Sequence, residues 1–268
     1  MKYLEFKPKK SLAKYIQLVW ILESESPEDH YEKEKILPDG IVEIIFHYHD
    51  PFITYLANGK SFIQPGGFAI SQMRKFIEIK SNGNTGFVSV RFYPWGAHHF
   101  FKKPVKDFLD DTVDIKHLWN GDSEVILEQL KTTDTTDKKA NLIQSFLLEK
   151  LNYNKKETYK IDEAIKLIRR TKGQLSVEEV CEKTNLSYKQ LERGFLTSVG
   201  ATPKIFSRIS RFLNLCRNLK EYENKNMTNL AYDMGFYDQA HFIKEFKDFS
   251  GLTPKEYFEH KNICFADF

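Results

Sequence analysis

Residues 180–203 and 231–254 repeat one another at a fixed offset of 51. Val180 aligns with Ala231, Thr184 with Gly235, Leu191 with Phe242, Arg193 with Lys244, Phe195 with Phe246 and Gly200 with Gly251. Thr202-Pro203 recurs as Thr253-Pro254. Read without a gap, apolar positions meet apolar ones and basic meet basic. A repeat this regular constrains the fold more than composition does, because one supersecondary unit must be built twice. Each copy predicts helix, tight turn, helix. The turn is TNLS in one copy and GFYD in the other. Gly235 can take a left-handed backbone there at no steric cost, which Thr184 cannot. In the second helix, Leu191/Phe195 or Phe242/Phe246 at i, i+4 spacing bury one face. The face left over is polar: Tyr188, Lys189, Gln190, Glu192 and Arg193 in one copy, Gln239, His241, Lys244 and Lys247 in the other.

The surrounding segments support the same reading. Ile161, Ile165 and Ile168 form one helical stripe. Ser176 followed by Glu179 is a capping-box signature, and Ser187 and Asp238 are placed to cap the second helices. Pro203 suits the first turn of a linker helix over 203–220, whose apolar residues Ile205, Ile209, Phe212, Cys216 and Leu219 form a continuous stripe. That segment holds Lys204, Arg208, Arg211, Arg217 and Lys220 and no acid. At 1.5 Å per residue it spans roughly 27 Å. Two second helices held that far apart can enter successive major grooves, about 34 Å apart, on one face of duplex DNA. The chain's positive excess lies in this half. Residues 156–268 carry 19 Lys+Arg against 16 Asp+Glu, whereas residues 1–155 balance at 21 each. An excess this small is common in ordinary domains.

With these residues in place, residues 160–260 resemble the DNA-binding domain of the AraC/XylS family of bacterial transcription regulators. GFYDQAHFIKEFKDFSGLTPKEY, 235–257, carries that family's most characteristic pattern. The resemblance implies base-reading positions at Lys189, Glu192 and Arg193, with Tyr188 and Gln190 adjacent, and at Gln239, Ala240, His241 and Lys244. Lys204, opening the basic linker helix, joins the DNA-binding set. Gly194 departs from a good reading helix, at a cost of about 1 kcal/mol relative to Ala. Glu192 repels phosphate yet can accept from cytosine N4, and Ala240 offers a methyl contact to thymine. Arg193 and Lys244 can instead hold phosphates, which positions a domain without reading sequence.

Residues 1–110 read mostly as strands. IVEIIFHYH (41–49), FITYLANG (52–59), SFIQPGGFAIS (61–71), KFIEIKSNG (75–83) and GFVSVRFYP (86–94) are rich in Phe, Ile, Val and Tyr and are separated by Gly, Pro and Asn turns. This spacing suggests a barrel or sandwich. After Pro94 the pattern turns helical: WGAHHFFK, DTVDIKHLWN, SEVILEQLK and ANLIQSFLLEKL, with KTTDTTDKKA (131–140) as a surface loop. The polar stretch 152–158 marks a boundary. LPDGIVEIIFHY, FAISQM and VSVRFYPWGAHHFF resemble the N-terminal domains attached to some AraC-type regulators. That resemblance implies a small cupin-like β-barrel that binds a small-molecule effector, pairs protomers into a homodimer, or both. The expected fold is therefore α+β and multidomain. A sensor or dimerisation domain covers 1–155, with the barrel at about 1–110 and helices at about 95–151. An all-α domain covers 156–268, with helix-turn-helix units at about 174–200 and 227–251.

Other classes of function are weighed against this one. His47 and His49 alternate on a strand and could serve as metal ligands, which leaves open a cupin-like metal-dependent enzyme fused to a DNA-targeting domain. No Glu follows at the spacing such a site wants, and His98-His99 diverge on a helix, so hydrogen-bonded or surface histidines are the plainer reading. No Ser-His-Asp or Cys-His set assembles from spacing, so no enzyme activity, cofactor or metal is expected. Cys181, Cys216 and Cys264 fit neither a metal nor a disulfide pattern. The N-terminus lacks a signal-peptide layout, and no apolar run reaches the ~20 residues of a membrane helix. The expected place is the cytoplasm of a bacterium, on the nucleoid when DNA is bound, with no membrane partner. Phe62, Phe68, Phe92, Tyr93 and Trp95 are candidate pocket aromatics or simply core. Leu142, Ile143, Phe146 and Leu147 form a stripe that packs either on the barrel or on a second protomer.

Overall fold

The structure is a computed structural model and describes residues 1–26, 33–151, 159–218 and 226–259. The boundary expected at 152–158, Cys264 and the last residues of the expected linker helix lie outside the described residues.

The N-terminal part is built from ten strands: β1 Lys2–Phe6, β2 Ile16–Glu23, β3 Glu34–Ile36, β4 Glu43–His47, β5 Ile53–Leu56, β6 Ser61–Ile63, β7 Gly67–Ile70, β8 Ile77–Lys80, β9 Gly86–Phe92 and β10 Thr112–Asp114. They pair in two sheets, ordered β1-β2-β9-β4-β7-β10 and β3-β8-β5-β6. Alternation assigns the two faces of the larger sheet. Val88, Val90 and Phe92 of β9 and Ile44 and Phe46 of β4 enter the main core. Their neighbours Phe87, Arg91, Glu43, Ile45 and His47 point the other way and line a cavity between the sheets. β9 is buried at every position for that reason, and so reads as an unbroken run.

A closed cupin-like barrel was expected, and the strand pairing does not close one. Closure needs each strand to pair on both sides. β3, β6 and β10 have three residues each, too few to carry a ladder across, and the described strands remain two separate sheets. The segment DTVDIKHLWN (111–120) was expected to be helical, yet Thr112–Asp114 pair with β7 as β10 before the short helix α1 Lys116–Trp119 begins.

The surface loop expected at 131–140 is also much shorter. α2 Asp122–Thr132 runs into it, and α3 Thr136–Lys150 starts inside it. Thr135 caps α3 by accepting from Lys138 N, so the polar run is a helix start rather than a loop. Ile143, Phe146 and Leu147 are buried in the main core under the larger sheet. The α3 stripe is thereby used within the chain, and it does not present itself to a second protomer.

The C-terminal part is helical: α4 Tyr159–Arg170, α5 Val177–Thr184, α6 Tyr188–Ser198, α7 Pro203–Arg217, α8 Met227–Asp233, α9 Gln239–Ser250 and α10 Pro254–Glu259. Ser176 and Ser187 close capping boxes with Glu179 and Gln190. α7 divides two cores. Phe206 packs with α4, α5 and α6 through Ile165, Val180, Leu191 and Phe195. Ile209, Phe212 and Cys216 pack with α8 and α9 through Leu230, Ala231, Phe242 and Phe246. The N-terminal part reaches into both. Trp95 packs on the first core and Leu37 is buried in the second.

Candidate nucleic-acid interface

The recurring Gly-x-Thr-Pro stops one helix and starts the next. Gly200 and Gly251 end α6 and α9 with φ of +89° and +75°. Thr202 and Thr253 then accept the third backbone N–H of the following helix, at 3.3 Å in both copies, and Pro203 and Pro254 take the first helical position. Each step has its own cause: a left-handed residue to end the helix, a hydroxyl cap, and a ring that fixes φ where no N–H is needed.

The turn within each pair corrects the ungapped alignment. In the first pair the left-handed residue is Asn185, at φ +51°, and Leu186 N donates to Cys181 O. In the second it is Gly235, at +73°, and Phe236 N donates to Ala231 O. Cys181 is thus the structural counterpart of Ala231, and Asn185 of Gly235, at an offset of 50 rather than 51. The caps Ser187 and Asp238 return to 51. The second turn holds one extra residue between its left-handed position and its cap, and the first helices are shifted by one. The pairings of Val180 with Ala231 and Thr184 with Gly235 are each one residue out. Asn adopts the left-handed backbone more readily than most L residues, which relieves Thr184 of that duty.

The second helices, α6 and α9, lie with their apolar faces down. Leu191, Phe195, Phe242 and Phe246 are buried. Gly194 meets the Ile161 side chain of α4 so closely that any Cβ would collide with it, so its propensity cost is offset by close packing. On the outer face Tyr188, Lys189, Gln190, Arg193, Ala240, His241 and Lys244 are exposed, as is Lys204 at the start of α7. Glu192 and Gln239 are half-buried. Three of these side chains have work inside the protein. Gln190 Oε1 accepts from Ser187 N at 2.9 Å, which makes it a cap residue. Gln239 Oε1 accepts from Thr228 Oγ1 of α8 at 2.9 Å. The His241 ring stands edge-on to Phe236 with centroids 5.3 Å apart. Asp238 caps α9 by accepting from His241 N at 2.7 Å.

Two features escaped the sequence reading. Tyr237 is 89% exposed in the longer turn, just ahead of α9. An aromatic with no apolar partner at helical spacing was the available signal. The second feature is Glu245, which is 4% exposed on α9 and accepts from Arg208 Nε of α7 at 2.7 Å. This pair sets α9 on the linker helix.

The metal alternative finds no support. His47 is buried and its Nε2 shares a hydrogen bond with Gln64 Oε1 at 3.0 Å, whereas His49 is exposed and packs on Tyr48. Among the described residues no group of three His, Cys, Asp or Glu is placed to hold a metal ion. Of the candidate pocket aromatics, only Phe68 lines the cavity. Phe92 belongs to the main core, and Tyr93 and Trp95 stack on each other at 4.8 Å.

Comparison with known proteins bears on this surface. Residues 180–260 match a family model described as a helix-turn-helix domain. The same region is 35% identical over 79 residues to the HTH-type transcriptional activator RhaS of Mannheimia succiniciproducens. The helix-turn-helix region of this chain is therefore similar to that of AraC/XylS-type transcription regulators. The alignment covers 30% of this chain and 29% of that protein, so the chain spans under a third of the relative's length. Residues 4–114 match a domain of unknown function (DUF6597). Among solved structures, ToxT from Vibrio cholerae is similar at 13% identity and TM-score 0.45, covering 92% of this chain and 98% of that one. A ToxT structure with unsaturated fatty acid bound has 15% identity and TM-score 0.41, covering 90% and 93%. No helix among the described residues is long and apolar enough to cross a membrane.

Proposed function

We propose that this chain is a sequence-specific DNA-binding transcription regulator. In this reading α6 and α9 are its two reading helices, and its N-terminal part senses a small molecule, pairs protomers, or both. The division into a sensor over 1–155 and a reader over 156–268 belongs to the same proposal. One observation carries it: a helix pair built twice around one basic helix, with the apolar face of each second helix buried and its polar face outward. α7 has 15 described residues, roughly 22 Å at 1.5 Å per residue, and so supports a separation suited to successive grooves.

Within that reading, Arg193 and Lys244 are the residues to test, being exposed on equivalent positions of α6 and α9. Full-length protein is titrated against its selected site and against scrambled duplexes at several salt concentrations. Arg193→Ala or Lys244→Ala weakens the selected site by about 1–3 kcal/mol if the residue reads a base edge. Equal loss on every sequence, with a shallower salt dependence, makes it a phosphate contact. Absence of duplex binding by the full chain at low salt ends the proposal. Gln190 serves as an internal contrast, since its cap role makes Gln190→Ala a stability variant before it is a specificity variant.

A further inference from the structure

The two sheets of the N-terminal part enclose a cavity of about 380 Å³. That is within the range of small-molecule sites and far above the voids of ordinary packing. Its walls are mostly apolar, with Ile45, Phe68, Ile79 and Phe87 from both sheets. One side is not closed by the sheets at all. Leu213 and Arg217 of α7 form part of the lining there, so the linker helix is a wall of the cavity.

The polar groups of the lining decide what charge it accepts. Arg91 is ion-paired with Asp39, and Glu43 accepts from Trp20 Nε1 at 2.8 Å and from Ser89 Oγ at 2.7 Å. Three carboxylates, Glu34, Asp39 and Glu43, stand against two guanidiniums, Arg91 and Arg217. An anion entering this space meets three carboxylates against two guanidiniums, one of which, Arg91, is already paired with Asp39. A buried charge without a partner is strongly disfavoured. The remaining polar cluster is uncharged. His47 Nε2 bonds Gln64 Oε1, and Gln64 Nε2 donates to Thr54 Oγ1 at 3.0 Å. All three residues are buried, and the His47 ring packs against Phe52, Phe68 and Phe87. Gln64 has a second amide hydrogen and Thr54 a hydroxyl hydrogen to offer a ligand oxygen. Burial holds the His47 imidazole neutral near pH 7.

We propose that this cavity binds an uncharged, mainly apolar small molecule bearing one hydrogen-bonding oxygen, with α7 as the wall that registers its presence. The assignment rests on the reading of the N-terminal part as a sensor. Ligand against Leu213 presses on the helix that also carries Arg208, and through it Glu245 of α9. The chemistry that would be sensed is that of an alcohol, ketone or phenol on a hydrocarbon frame, not that of an acid.

The test uses full-length protein with 1-octanol and octanoate, which share a chain and differ in head group. Binding is followed by quenching of Trp20, which lines the cavity, and by calorimetry. Expected are saturable 1:1 binding of octanol and at least tenfold weaker binding of octanoate. Ile45→Phe and Ile79→Phe each fill the space from a different sheet, and each abolishes octanol binding while circular dichroism and DNA binding persist. Two variants guard against one failing to fold. Octanoate binding as well as octanol, octanol binding undiminished in both filled variants, or no saturable octanol binding each overturns the assignment. The sensing reading is tested separately, by DNA affinity with and without octanol. Bound octanol that leaves DNA affinity unchanged refutes sensing and leaves the site standing.

Discussion

Gly200 and Gly251 hold the same place in the two copies, and each has two reasons to be glycine. Both have positive φ, where an L side chain costs about 1–2 kcal/mol. Both also abut the N-terminal part. A Cβ on Gly200 would lie 2.7 Å from Ser71 Oγ and 2.9 Å from Val105 O, and one on Gly251 would collide with the Phe76 ring. Gly251→Ala is therefore expected to destabilise by about 2–4 kcal/mol, backbone cost and overpacking together. Denaturant melts of a cycle with Phe76→Ala should show a coupling of about 1 kcal/mol or more, because removing the ring relieves only the overpacking. No coupling would mean that the backbone cost is the whole effect. The first reason was legible in the sequence, since a glycine after a helical run reads as a left-handed stop. The second was not, because Phe76 is remote in sequence and nothing local marks the contact. His47 gives a residue-scale prediction with a pH sign. Burial lowers its pKa to about 4, against 6.5 when unfolded. Between those values the unfolded chain binds the extra proton, so stability falls as pH drops from 6.5 to 4, by roughly 3 kcal/mol. Thermal melts across that range should show the slope, and His47→Gln should flatten it. An unchanged slope would place the titration elsewhere.

At the scale of elements, the helices were read well because their caps and stripes are local. Ser176, Ser187, Asp238 and Pro203 each do in the structure what their spacing indicates. What failed was counting across the turn. An apolar residue lies at the right place under either offset, Leu230 or Ala231 opposite Val180, so the pattern alone could not expose the extra residue. Hydrogen bonding exposes it, because each turn closes on a definite carbonyl. The sheet was less legible. Strands as short as β3 and β10 carry three residues, too few for an alternation to register. The α7–α9 contact gives the prediction at this scale. Arg208→Met removes the hydrogen-bonded cation from Glu245, a buried carboxylate that His241 Nε2 also approaches to 3.8 Å, while keeping much of the side-chain volume. Arg208 is 32% exposed, so water softens the loss, and about 2 kcal/mol is expected. Hydrogen exchange should locate it in α9 rather than α6. Uniform loss of protection over both helices would show that the pair does not act locally.

At the scale of the whole molecule, the two parts are separated by function in the proposal above but share their cores. Leu37, just after β3, is 5% exposed and buried with Leu213, Ile209 and Phe212 of α7. Gly40 brings the backbone up to Ile209 and Phe206, where a Cβ would sit at 3.4 Å from each. Lys35 Nζ donates to Ser250 O, at the end of α9, at 3.1 Å. The segment 35–40 thus touches both ends of the problem: it borders the cavity through Leu37 and Asp39, and it completes the core beneath the second helix pair. None of this was visible in a pattern in which Pro38-Asp39-Gly40 read merely as turn formers ahead of a strand. It carries a definite expectation. Leu37→Ala leaves a hole lined by α7 side chains and should cost about 2–4 kcal/mol. If the parts were independent, that loss would appear in β3 and β8 and leave the helices alone. A shared core spreads it into α7, α8 and α9. Hydrogen exchange of full-length protein distinguishes the two, because each helix reports its own opening free energy. Lowered protection of α7 and α9 in Leu37→Ala, with α4 and α5 little changed, is the expected result. Loss confined to the sheets would show that the contact is incidental, and the coupling proposed between the cavity and α9 would then rest on Leu213 and Arg217 alone.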